Sequence, residues 1–489
     1  MELSNARRPT RSPRRGRALL ATAVLAAAAA FGLAAAARLQ AAPLPASLWL
    51  QHPLDALALA RGLNPHPVHL KRPPVAPLSV VARLGERLFN DARLSGSGRQ
   101  SCASCHDPAH AHAPANDLSV QLGGRHLDMA GMRAVPSLRY LYRQANFSIG
   151  PDNEENENVD LLQQAQVAGQ TPRSVKTAGS TTAPALVPQG GLFWDGRVDT
   201  LQQQASGPLF NPLEMDGGDA ARVASVIEDG GYADVFRQLF GAAIFTDPSQ
   251  VVAEAMFAIA RYQVESPQFH PFDSKYDAWL EGRAQLSPQE LRGYLAFRDP
   301  RRGNCAACHV DQPTRDGLPP LFSDAQYEAL GVPRNTRVPA NADAAFHDLG
   351  LCGPARSDLR TQTAYCGMFL TPTLRNAATR HAFFHNGVYH SLQQVLDFYN
   401  LRDVQPGRIY PKDASGAVQR FNDLPARWQA NVDTRDPPFG RHAGEMPPMS
   451  AQDERDIIAF LGTLTDGDAA PDARKVMARN SGSLAASKR

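Results

Sequence analysis

The sequence predicts a mainly α fold of two similar units with long loops, preceded by a signal or anchor helix. Three observations carry that prediction. Cys102-Ala-Ser-Cys105-His106 recurs as Cys305-Ala-Ala-Cys308-His309, so one motif occurs twice in one chain. Apolar residues fall at helical spacing behind recognisable caps, and alternating strand patterns are scarce. The first residues join a basic stretch to a long apolar run.

The elements follow in chain order. Arg7, Arg8, Arg11, Arg14, Arg15 and Arg17 stand without an acid after Glu2, and an Ala/Leu/Val run from Ala18 to Ala37 follows. Ala36, Ala37, Ala41 and Ala42 offer cleavage sites, so residues 1–42 read as a signal peptide. The run also approaches the ~20 apolar residues that span a bilayer, which leaves an uncleaved inner-membrane anchor over 18–37 open. Arginines ahead of it keep the N-terminus in the cytoplasm and put the body in the periplasm. Residues 43–79 are rich in Pro, His and Leu without a period and read as a linker packed on the first unit. Residues 80–285 form the first unit, 286–466 the second, and the small polar residues of 467–489 a disordered tail. Val252 to Tyr262 is a strongly apolar helix. Ser287-Pro-Gln-Glu290 is a capping box with Pro at the first helical position, and Leu291, Tyr294 and Leu295 line one face behind it. Ser391 and Gln394 make a second box, ahead of Leu392, Val395, Leu396 and Tyr399 on one face. Ser450 opens a last helix with Ile457, Ile458, Leu461 and Leu464 at helical spacing.

The repeated motif carries the chemistry. Cys-x-x-Cys-His is the signature of covalent c-type haem attachment: two thiols add to the vinyl groups, and the adjacent imidazole becomes the proximal iron ligand. Two haem c groups therefore follow, bound through Cys102 and Cys105 with His106, and through Cys305 and Cys308 with His309. The two units are then cytochrome c-like. Of the six cysteines, Cys352 and Cys366 remain. They enclose a short polar loop and are expected to pair in an oxidising compartment, adding ~3 kcal/mol by loop closure, with two free thiols as the alternative. A formal net charge of +2 makes no case for nucleic acid. Roughly 440 residues remain behind the leader, enough for two or three domains.

Several segments resemble the bacterial di-haem cytochrome c peroxidase family. They are Leu84-Gly-Glu-Arg-Leu-Phe89 with Asp91, Arg93, Leu94 and Ser95; Phe193-Trp-Asp-Gly-Arg197; Asn211-Pro-Leu-Glu-Met215; Phe369-Leu-Thr-Pro-Thr-Leu-Arg-Asn376; and Phe384-His-Asn-Gly387. The likeness runs from Val80 to Thr465 and leans towards the branch of the methylamine dehydrogenase maturation enzyme. It implies hydrogen peroxide as substrate at the first haem. Glu214 would move the proton needed to split the O–O bond, Gln204 would hold the peroxide by hydrogen bonds, and Trp194 would bridge the haems. Unaided, Glu214 reads as a surface charge and Trp194 as core packing. Gln204 is expected on a short helix ended by Gly207-Pro208.

The resemblance also raises ligand questions. Family members with a blocked first iron use a loop histidine. The matching loop here is Leu118-Ser-Val-Gln-Leu-Gly-Gly-Arg-His126, and the histidine's place falls on Gly124. That implies an open first iron unless His110, His112 or His126 reaches it. The second iron's other ligand is methionine in many members, but the matching position is Tyr399, with Met446 as the main rival beside Met368 and Met449. A phenolate lowers a haem potential where a thioether raises it, so Tyr399 implies a second haem that helps hold oxidising equivalents. Calcium between the units is left open: the family's Asn is replaced near Ala134, and its remaining ligands are backbone carbonyls matching Arg380 and Ala382. Three functions follow. The first is a periplasmic di-haem peroxidase fed by a small cytochrome c or cupredoxin. The second is a maturation-type oxidase that uses peroxide to oxidise a partner protein. The third is a non-enzymatic di-haem electron carrier. Relatives of this kind often form homodimers, although no interface is legible.

Overall fold

The computed structural model describes residues 53–151 and 186–467. The signal or anchor segment at 1–42 and the tail from 468 onward lie outside them. Among the described residues no helix is long and apolar enough to cross a membrane. The helices used below are α1 (Pro53–Ala60), α2 (Val80–Phe89), α3 (Leu201–Phe210), α4 (Ala220–Ile227), α5 (Ala233–Phe240), α6 (Pro248–Glu265), α7 (Lys275–Leu280), α8 (Pro288–Arg298), α9 (Leu392–Leu401) and α10 (Ala451–Gly462). Strands are short and pair two by two, all antiparallel: β1 (Leu122–Gly123) with β2 (Met129–Ala130), β3 (Ser148–Pro151) with β4 (Leu186–Gln189), and β5 (Tyr327–Glu328) with β6 (Phe369–Leu370). The fold is mainly helical, with long loops between the helices.

Both units are built on the same crossing. In the first, Ser79 caps α2 by accepting from the Ala82 N–H, and the helix buries Ala82, Leu84, Leu88 and Phe89 against α6. In the second, Ser287 and Glu290 cap α8 reciprocally, Ser450 and Asp453 do the same for α10, and these two helices pack together. Each crossing turns on a glycine in the helix that leads into a haem motif. A Cβ at Gly85 would overlap the Ala258 carbonyl oxygen, and one at Gly293 would overlap that of Asp456. Only hydrogen at those positions lets the backbones approach so closely. Four residues on, Phe89 and Phe297 fill corresponding places, each 1% exposed, in the two hydrophobic clusters.

Local chemistry departs from expectation in four places. Gly207-Pro208 does not end the helix: α3 runs through it to Phe210. Proline has no N–H to give back to the Gln204 carbonyl, so one helical bond is missing beside a candidate pocket residue. At α9, Ser391 accepts from the Gln394 N–H, but the Gln394 side chain accepts from His390 rather than Ser391, so the expected box is displaced by one residue. Residues 53–72 lie on the second unit, not the first. Leu59 and Leu70 join its cluster, Trp279 donates to the Gly62 carbonyl at 2.9 Å, and Arg72 grips Glu281 at 2.7 and 2.9 Å. Helix α7 also belongs to this cluster, so the packing boundary falls between Phe269 and Tyr276 rather than at 285/286.

Candidate functional site

Each Cys-x-x-Cys-His segment closes one tight turn. The His106 N–H reaches the Cys102 carbonyl at 2.9 Å, and the His309 N–H reaches that of Cys305 at 2.8 Å. Both thiols and the ring of a motif are thereby gathered around one turn. His106 Nδ1 lies 3.2 Å from the His112 carbonyl oxygen, and His309 Nδ1 lies 2.9 Å from that of Phe322. A carbonyl only accepts, so Nδ1 carries the proton and Nε2 is left as the free donor atom for iron. Loss of surrounding water pushes both imidazoles down to about 4, which keeps them neutral, as a metal ligand must be. None of the four motif cysteines is in a disulfide. This donor set, repeated with the same tautomer lock, fits two covalently held haems.

Glu214 sits in the loop after α3, next to the first motif. Its charge bears on the Cys105 thiol. Its carboxylate accepts from the Asn211 amide at 2.8 Å, and its backbone carbonyl accepts from the Gly124 N–H at 2.6 Å. Burial pushes the carboxyl above its ordinary value, opposed by the Asn211 hydrogen bond and the charge of Arg197. Gln204 is 7% exposed on α3. Arg197 escaped the sequence reading as a site residue. Its guanidinium pairs with Asp195 at 2.8 Å and lies 3.6 Å over the Phe193 ring, so the arginine closing Phe193-Trp-Asp-Gly-Arg197 was the available signal.

The three loop histidines go to different places. His126 is exposed, and His110 is paired with Asp107 at 2.9 Å. His112 is fully buried beside the proximal ring, stacked 3.8 Å from Phe269. The glycine that matches the family's histidine is docked, through its own N–H, on the Glu214 loop.

Trp194 joins the units. Its indole donates to the Ala134 carbonyl at 2.8 Å, while its own carbonyl accepts from the Leu370 N–H at 2.9 Å. Beneath it, Arg133 holds Asp348 at 2.6 Å and fully buried Asp195 at 2.8 Å. The chain Arg197–Asp195–Arg133–Asp348 thus runs from the Glu214 pocket into the second unit. Its members are far apart in sequence, and no local pattern announces it.

Tyr399 is half-buried on α9. Burial raises its phenol well above the ordinary value, and its ring packs against the same hydrophobic cluster as Cys305 of the second motif. Its ring stacks on Phe439 at 5.7 Å. Met446 is 79% exposed, Met449 is buried in the second cluster, and Met368 packs beside Cys352 and Cys366. Those two cysteines are disulfide-bonded, with Cα atoms 5.0 Å apart. The cleft between Val135 and Ala382 does not fit calcium: Arg380 lines it and its guanidinium donates to the Val135 carbonyl at 2.7 Å. Among the described residues no cluster of three or more His, Cys, Asp or Glu side chains is arranged to hold a metal ion.

Residues 80–285 match the family model described as di-haem cytochrome c peroxidase. The chain is 34% identical over 333 residues to the methylamine utilization protein MauG of Paracoccus denitrificans, covering 65% of this chain and 74% of that one. It is 27% identical over 361 residues to the cytochrome c551 peroxidase of Nitrosomonas europaea, covering 71% and 82%. The crystal structure of the diheme peroxidase BthA from Burkholderia thailandensis superposes with a TM-score of 0.68 at 34% identity, covering 83% of this chain and 92% of that one.

Proposed function

The chain belongs to the di-haem cytochrome c peroxidase family, haem-binding oxidoreductases that act with peroxide, and from that premise we propose that it reduces hydrogen peroxide to water in the periplasm. The observation that carries this reading is Glu214, a carboxylate shielded from water, near enough for its charge to bear on Cys105 of the first motif and held by Asn211. Bound haem supplies the iron chemistry of O–O cleavage and of electron storage. The rest falls to the chain. Reducing one peroxide to two waters takes two electrons and two protons. Glu214 takes the proton from the near oxygen and returns it to the leaving oxygen, so that water leaves rather than hydroxide. Gln204 offers amide hydrogen bonds to the peroxide. Arg197 balances the carboxylate and keeps it within reach of deprotonation at neutral pH. Trp194, hydrogen-bonded into both units, is the bridge for electrons.

Tyr399 favours a second reading beside the first. Were Tyr399 to hold the second iron, its phenolate would suit a protein that stores oxidising equivalents and draws electrons from a partner protein's side chain rather than from a small cytochrome c or cupredoxin. Stopped-flow mixing of the fully oxidised protein with peroxide separates these readings. Rapid reaction giving a long-lived oxidised state supports an open first iron with a tyrosine-ligated second haem. Reaction only after half-reduction supports a relay peroxidase with a displaceable loop ligand. Failure to react in either state leaves an electron carrier.

A further inference from the structure

The family resemblance allows a calcium ion between the two units, and this chain puts something else there. Arg380 follows a short turn, Ala377–Thr379, whose root is anchored in the second unit. Arg375 just before it makes a bidentate pair with Asp277 at 2.6 and 2.8 Å, and the Asn376 amide reaches Asp466 at 2.6 Å. From this fixed base the Arg380 side chain crosses to the first unit and donates to the Val135 carbonyl at 2.7 Å. Its charge bears on His106, the proximal residue of the first motif. The cleft it enters is lined from the first unit by Ala113, Asn116 and Val135, among others, and from the second by Arg380, His381 and Ala382; no acid lines it.

We propose that the Arg380 guanidinium is the resident cation between the two haem units, in place of calcium, so that the holo-protein neither binds nor requires a divalent ion at this junction. Calcium needs six to eight oxygens, usually with carboxylates among them. The cleft offers carbonyls, one amide side chain, one imidazole and a fixed positive charge, which repels a divalent ion at close range. A guanidinium is suited to the place. It is planar, carries five donors and satisfies carbonyl oxygens without a carboxylate partner. Loss of water pulls Arg380 down to about 10, which still leaves it charged at neutral pH. A covalently tethered cation also cannot be diluted away, so the junction is set by the sequence and not by the calcium concentration outside the cell.

The test uses the holo-protein. After dialysis against EGTA and then against calcium chloride, elemental analysis should find no stoichiometric calcium, and the electron paramagnetic resonance spectrum of the first haem should be the same in both states. Stoichiometric calcium, or a spectrum that changes with EGTA, overturns the proposal. Arg380→Met keeps the bulk and removes the charge. It should shift the first-haem signal, whereas Arg380→Lys should preserve the parent signal. An Arg380→Met spectrum superimposable on the parent's overturns the assignment of the guanidinium. If the methionine variant fails to mature, the calcium analysis of the parent and the lysine variant still decide.

Discussion

A carboxyl can act as a base only after losing its proton, and burial at Glu214 resists that loss. The proton-transfer rate should therefore rise with pH through a titration lying above the ordinary carboxyl range, and peroxide consumption across a pH series reads it directly. Glu214→Gln should lower the rate by about a hundred- to ten-thousand-fold and flatten this dependence. A retained pH dependence would move the proton transfer to another group. At the second motif, Tyr399→Met exchanges a phenolate for a thioether and should raise the midpoint potential of that haem in spectroelectrochemical titration. An unchanged potential would take Tyr399 off the iron. The two Cys-x-x-Cys-His segments were legible in the sequence, because covalent attachment imposes fixed local spacing, whereas Glu214 was named only through the family resemblance and by itself reads as a surface charge. The Arg133–Asp195–Asp348 network and Arg380 were not, because each is a side chain reaching across a unit boundary to a partner chosen by folding.

At the scale of elements, the two glycine crossings make a sharp prediction. Gly293→Ala puts a methyl group into the Asp456 carbonyl and must push α8 and α10 apart. About 1–3 kcal/mol of stability should be lost, read as a lower melting temperature, and Gly85→Ala should behave alike at the α2–α6 crossing. The capping box at Ser287 and the helix start at Ser450 were readable because a cap is set within four consecutive residues. The displaced cap at α9 and the passage of α3 through Pro208 were not, because tertiary packing overrides the local rule in both. The pair Asp277–Arg375 ties α7 to the segment before Arg380, and both side chains are fully buried. Burial alone would raise Asp277, but the charge and hydrogen bonds of Arg375 hold it below the ordinary carboxylate value. The stability it contributes is present at neutral pH and lost as pH falls below about 4, towards its native titration. Asp277→Asn strands the arginine and should cost about 3–5 kcal/mol in denaturant titration.

At the scale of the whole molecule, a repeated motif correctly implied a repeated unit, but the chain does not visit the units in simple succession. The second cluster takes in Leu59 and Leu70, the first draws its buried residues from between Leu84 and Phe269, and the second takes up again from Tyr276 to Leu464. Apolar periodicity could not show this, since Leu59 and Leu70 are isolated anchors in a proline-rich stretch whose docking rests on backbone carbonyls and one arginine. Protein synthesis runs in one direction, so this interleaving sets an order of events. When Phe269 has emerged, every residue of the first cluster is available, while the early segment with Leu59 and Leu70 still lacks its docking surface. A chain halted at residue 274 should give a protease-resistant body beginning near Val80, with everything before it trimmed away. The second haem's shell can close only when α10 arrives, so its maturation waits on a late stretch of chain, and the segment over 53–72 is held in reserve until then.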